Sequence, residues 1–184
     1  MRFKDQKSWD AWLAKHHAAS PGLWLQIARK ANGAPSVSYA QAVETALCYG
    51  WIDGQGKSLD EAWWLQKYTP RRPNSVWGKI NRERAEELIR DGRMKPAGLK
   101  AVETSRRNGR WDRAYDSPRG ARVPADLQKA FALNARAKAF FSTLDSANRY
   151  AVLWRIQTAV KPETRARRIE KLVGMLERNE KLHP

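Results

Sequence analysis

Four sets of residues in this 184-residue chain have the types and spacing to do chemistry. Asp53 stands in the run Trp51-Ile52-Asp53-Gly54, a carboxylate beside tryptophan. It suits a cationic or sugar-like ligand, or acid–base work if a partner group is near. It equally suits a structural ion pair with Arg71 or a bond to a backbone amide. Thr69-Pro70-Arg71-Arg72-Pro73-Asn74-Ser75 holds two guanidinium groups between prolines, so the pair loses little chain entropy on binding. Its planar forks match phosphate or carboxylate. Ser75 as a helix N-cap, and Lys79 one turn on, would complete an anion-binding end. The competing reading is a clamp that pairs with carboxylates such as Asp53. Lys161-Pro162-Glu163-Thr164-Arg165-Ala166-Arg167-Arg168 puts Arg165 and Arg168 on one helical face. That face can meet nucleic-acid phosphates or lipid headgroups, or be an ordinary solvated, acid-paired surface. Lastly, basic residues interleaved with nine tryptophans can mark stacking on single strands. Most of these tryptophans fall at core-facing positions of the expected helices and strands, where packing accounts for them. Trp63 and Trp64 must point to opposite sides of a strand, which leaves one of them partly exposed.

Other chemistry lacks its residues. The single cysteine, Cys48, excludes an internal disulfide and a Cys-x-x-Cys site; on an apolar helix end it reads as a small hydrophobe. His16 and His17 point about 100° apart on a helix and make a poor metal pair. No phosphate-binding glycine loop or nucleophile elbow occurs. The sequence therefore calls for no metal and no cofactor.

The elements that must position these residues can be read in chain order. Residues 8–18 have Trp9, Trp12 and Leu13 at helical spacing behind Ser8 as cap. Residues 22–29 alternate as a strand. Asn32-Gly33-Ala34-Pro35 reads as a loop. Ser38 and Gln41 form a capping box for a helix that ends near Tyr49, with Gly50 in a left-handed turn. Two extended segments, from Trp51 and from Ala62, form a hairpin that Pro70 and Pro73 end. Beyond it the chain reads as helix: from Ser75, from Pro96, from Pro124, from Asn134 to Leu144, from a Ser146 cap, and from Pro162. The expected class is α+β: a small antiparallel sheet with helices, then a mainly α-helical basic part. The expected division is 1–75 and 76–184, packed as one unit, with a module at about 124–184.

Charge follows the chain unevenly. Residues 1–70 carry 8 basic and 6 acidic side chains, and residues 71–184 carry 27 and 13. Most of the net +16 thus falls after Pro70, which favours anionic partners. The charged N-terminus has no secretory core, and no apolar run reaches the roughly 20 residues of a membrane helix. A cytoplasmic chain is expected, whose membrane contacts would be peripheral.

Three ordered motifs resemble the bacteriocin-protection, YdeI/OmpD-associated family: ALCYGWIDG at 46–54, YTPRRPNSVWGKIN at 68–81 and DGRMKPAG at 91–98. The stretch from AFF at 139–141 through NRY at 148–150 and KPETRARRI at 161–169 to KLHP at 181–184 is similar to the small C-terminal module of that family. The resemblance implies a bacterial cytoplasmic protein associated with envelope stress or protection from antimicrobial peptides. It brings no catalytic residues. Together the residues and the resemblance imply a non-enzymatic protein that binds an anionic partner: nucleic acid, a phosphorylated ligand or an acidic protein. Its anion-binding residues would be Arg71, Arg72, Ser75, Lys79, Arg165 and Arg168. The alternative is an enzyme acting on a small anionic substrate, with Asp53 as acid or base and Arg71, Arg72 and Lys79 as the clamp.

Overall fold

The structure is a computed structural model that describes residues 1–30 and 33–184. It is α+β, with one three-stranded antiparallel sheet and eight helices among the described residues. The expected loop at 32–35 begins at Asn32, which lies outside the described residues. The chain forms two compact units: residues 1–75 with 81–111, and residues 76–80 with 112–184.

In the first unit α1 (Gln6–His16) is started by Asp5, not Ser8. The Asp5 carboxylate accepts from the Ser8 amide at 2.7 Å, and Ser8 reaches back to the Asp5 amide. Both residues are good caps, and the one further upstream gains the extra turn. β1 (Leu23–Ala28) pairs with β3 (Trp63–Pro70), which also pairs with β2 (Trp51–Ser58), so β3 is central. Asp60 closes the hairpin by accepting from the amides of Ala62 and Trp63, both at 2.8 Å. α2 (Tyr39–Cys48) carries the expected Ser38/Gln41 capping box.

The core here is aromatic. Trp9 stacks on Trp12 with ring centres 5.5 Å apart and meets Tyr68 at 5.7 Å and Trp51 at 6.4 Å. The indoles of Trp9 and Trp51 also donate to the carbonyls of Ala42 and His17. Burial of the polar end of each ring is thereby compensated. Gly50, at φ 71°, turns the chain from α2 into β2. α3 (Lys79–Arg90) and α4 (Pro96–Arg107) complete the helices that bear on this unit. α4 packs on α2 through Gly98, where a Cβ would lie 2.4 Å from the Cys48 carbonyl. Cys48 is buried, and burial pushes its thiol up to about 11.

The second unit is a helical bundle of α5 (Ala125–Leu133), α6 (Ala135–Thr143), α7 (Ser146–Gln157) and α8 (Pro162–Glu177). Asn134 caps α6 as expected, but α7 is capped by Asp145 rather than Ser146. Its core is Leu127, Phe131, Phe141, Leu153, Ile156 and Leu172, with neighbours from the same helices. On α7 the buried stripe is Val152, Leu153 and Ile156, while Trp154 is only partly covered. A short parallel bridge, Gly78 with Tyr115, opens the unit.

Candidate anion-binding site

Asp53 sits on β2 opposite Tyr68. Its carboxylate accepts from the Tyr39 hydroxyl at 2.7 Å. Tyr39 begins α2, so the motif aspartate ties the helix to the sheet. The Tyr68 hydroxyl across from it is buried without a hydrogen-bond partner among the described residues. Burial, then the charge of Asp53, holds its proton well above the usual tyrosine range.

The Pro-Arg-Arg-Pro stretch forms a turn. The Ser75 hydroxyl accepts from the Arg72 amide at 3.0 Å, and the Ser75 amide donates to the Arg72 carbonyl at 2.9 Å. The turn is fastened to the end of α4: the Asn108 side chain donates to the Pro73 carbonyl at 2.7 Å, and Arg110 donates to Asn74 at 3.4 Å. Ser75 is therefore not the cap of α3, which starts four residues later at Lys79. The intervening Trp77 and Lys79 are held in backbone bonds to Tyr115. Arg72 is exposed, and Arg71 is partly buried.

Lys79 belongs to the second unit, and there it meets a different group. Its ammonium lies 2.5 Å from Asp116. Asp116 is oriented by Gln157, whose side-chain amide donates to it at 2.8 Å and whose carbonyl oxygen accepts from the Asp116 amide at 3.1 Å. These groups line an open cleft of about 490 Å³ shared by Lys79, Arg113, Lys161 and Arg165 on the basic side, with Asp112 and Asp116 on the acidic side. Four cations against two carboxylates leave the cleft net positive.

Each cation is placed for a physical reason. Pro162 fixes the first turn of α8 and puts Lys161 at its N-cap, with no side chain capping the free amides there. Arg113 donates to the Val160 carbonyl at 2.6 Å, which fixes the chain entering α8. Arg165 is forked onto Asp126 of α5 at 2.6 and 2.9 Å and also donates to the Ile156 carbonyl. That guanidinium holds the Asp126 carboxyl below its usual range. Arg168 lies outside the cleft lining and donates to the Arg155 carbonyl and the Thr158 hydroxyl, closing the end of α7. Lys161 is exposed.

Of the sequence candidates, the fold thus brings Lys79 and Arg165 to one cleft. It places Asp53, Arg71, Arg72 and Ser75 in the other unit. Sequence reasoning missed Arg113 and the start of α8 as a place rather than a face. The signal was available in Lys161-Pro162, a proline at the first helical position after a lysine. Among the described residues no three His, Cys, Asp or Glu stand together as a metal site, and no helix is long and apolar enough to cross a membrane.

A family model described as bacteriocin-protection, YdeI or OmpD-associated matches residues 121–179, the bundle that carries most of the cleft. A second model, described as a domain of unknown function, DUF8412, matches residues 1–101, which include the motifs at 46–54, 68–81 and 91–98. No curated protein and no solved structure matches the chain. With more than half of its length in the first hundred residues so matched, the chain belongs to the DUF8412 family, and it joins to that domain a YdeI/OmpD-associated module.

Proposed function

We propose that this is a non-enzymatic, cytoplasmic protein of bacterial stress or bacteriocin protection. It binds an anionic partner, and the cleft at the start of α8 receives the anionic group. The observation that carries this reading is the convergence of Lys79, Arg113, Lys161 and Arg165 on one open cleft beside the uncapped first turn of a sixteen-residue helix. Helix amides and mobile ammonium groups suit a phosphate. Asp116, the more buried of the two cleft carboxylates, is already engaged by Lys79 and Gln157, which leaves Lys161 and the α8 amides to face an incoming anion. The enzymatic alternative draws less support, because Asp53 is held by Tyr39 in a helix-to-sheet contact.

Titration of the full chain with pyrophosphate, followed by amide NMR and calorimetry, tests this. Saturable shifts at residues 161–165 and at Lys79 and Arg113 are expected, weakening as ionic strength rises. Lys161→Glu is expected to weaken binding by about tenfold, the scale of one charge-assisted hydrogen bond, and Lys161→Arg to retain it. Shifts that never saturate, or that ignore Lys161→Glu, would remove the cleft as the site.

A further inference from the structure

The sheet of the first unit has two faces of opposite character. Because side chains alternate along a strand, the register sorts them. One face carries Leu25, Ile27, Trp51, Gln66 and Tyr68, all buried beneath α1 and α2. The other carries Trp24 on β1, Trp63, Leu65 and Lys67 on β3, and Lys57 on β2. Arg2 joins it, since residue 2 bridges to Gln26 and extends the sheet beside β1. The two tryptophans are half-buried, and Arg2, Lys57 and Lys67 are exposed. No strand residue on this face is acidic. Asp53, the carboxylate of β2, points to the other face and is taken up by Tyr39.

The cations on this face are stacked on the rings. The Lys57 ammonium lies 4.6 Å and the Lys67 ammonium 5.7 Å from the centre of Trp24, and the Arg2 guanidinium lies 4.1 Å from that of Trp63. Each ring thus presents its π-face outward with a cation over it. Trp24 and Trp63 are four positions apart along the paired strands, about 13 Å, and Leu65 gives an apolar floor between them.

We propose that this face binds single-stranded nucleic acid, with bases stacking on Trp24 and Trp63 while Arg2, Lys57 and Lys67 move from the rings to the phosphates. The exchange suits both partners. A base replaces the cation on a ring face without sequence preference, and the displaced cation neutralises the backbone beside it. Duplexes keep their base faces stacked inside and cannot bind in this way. Insertion into a membrane needs aromatic side chains that stand out beyond the charges, whereas here the charges cover the rings. The inference rests on a site separate from the α8 cleft, so either can fail alone.

The experiment is fluorescence anisotropy of end-labelled oligothymidine and oligouridine, each about a dozen nucleotides long, titrated with the full chain across a range of salt. Saturable binding is expected at low salt, with affinity falling linearly in log salt. Trp24→Ala and Trp63→Ala should each weaken it by about 5- to 150-fold, and Trp24→Phe should retain most of it. The double variant Lys57→Gln/Lys67→Gln alters only exposed side chains, so its fold is secure. It should lower the salt slope by about 0.7 for each phosphate that is no longer neutralised. Four results would overturn the proposal: no saturable binding, equal affinity for duplex of the same length, binding to phosphatidylserine vesicles in place of oligonucleotide, or affinity that drops with Lys161→Glu yet ignores Trp24→Ala. The last would leave the cleft reading standing.

Discussion

In the unit of residues 1–75 and 81–111, Trp9, Trp12, Trp51 and Tyr68 meet ring against ring and the indoles of Trp9 and Trp51 each find a carbonyl. In the unit of residues 76–80 and 112–184, the equivalent space is filled by Leu127, Leu153, Ile156, Leu172 and Leu176, with one tilted pair of rings, Phe131 and Phe141, at 5.1 Å. A three-stranded sheet is thin, and large flat rings let two short helices cover one face of it. Four helices can close on each other with branched aliphatic side chains alone. The difference also bears on charge. Along the chain the basic excess falls after Pro70, yet the units carry 19 basic against 11 acidic residues and 16 against 8, a net +8 in each. The helical stretch 81–111 belongs to the unit that holds the sheet and takes its cations there. An electrostatic argument made from halves of a sequence can therefore misplace the field.

The comparison is open to tests of decreasing size. Trp9→Ala in the aromatic core is expected to cost about 3–5 kcal/mol and Leu172→Ala in the aliphatic core about 2–5 kcal/mol, by chemical denaturation. With the sites in separate units, the double variant should equal the sum within about 0.5 kcal/mol; a larger departure would show the two cores to be coupled.

A helical glycine gives opposite signs in the two units. Gly98→Ala in α4 drives a Cβ to 2.4 Å from the Cys48 carbonyl and 2.8 Å from that of Leu47, fixed backbone atoms of α2. It should lower stability by about 1–3 kcal/mol, in spite of the better helix propensity of alanine. Gly174→Ala in α8 meets only the end of the Arg178 side chain at 3.5 Å and should raise stability by about 0.5–1 kcal/mol. Thermal denaturation of the pair measures both signs, and matching signs would show that α2 and α4 are less tightly joined than their contact implies.

The smallest effect is electrostatic. Asp126 is held below its ordinary range by Arg165. A carboxylate whose folded value is depressed adds stability above the unfolded value near 4, and that contribution is lost as pH falls through the folded value. Asp126→Asn should therefore lower stability at neutral pH by up to about 1 kcal/mol, since the pair is partly exposed. It should also flatten the acid side of the stability profile. An acid limb unchanged by Asp126→Asn would assign the acid sensitivity elsewhere.

Element types and several caps were legible in the chain: the Ser38 capping box, Asn134, and the prolines at 96 and 162 all act through neighbours a few residues away. The starts of α1 and α3 were not, because Asp5 competes with Ser8 over one turn and Ser75 is spent on Arg72 in a turn of its own. Half of the cleft was readable as basic residues; that Lys79 and Arg165 share it was not. Lys79 reaches the site through the Gly78–Tyr115 bridge, and no local pattern announces a pairing 37 positions apart.

What the sequence determined by itself is what short-range physics decides: alternation for the strands, helical spacing for the stripes, and glycine and proline for the ends. The tertiary structure decided which charges answer which. Asp53 went to Tyr39, Arg165 to Asp126, and Lys57 and Lys67 onto Trp24. Such pairings depend on the register of strands and the docking of helices, which are set by burial of side chains distant in the chain. Whether an arginine or a tryptophan is a site or a strut is therefore settled by packing.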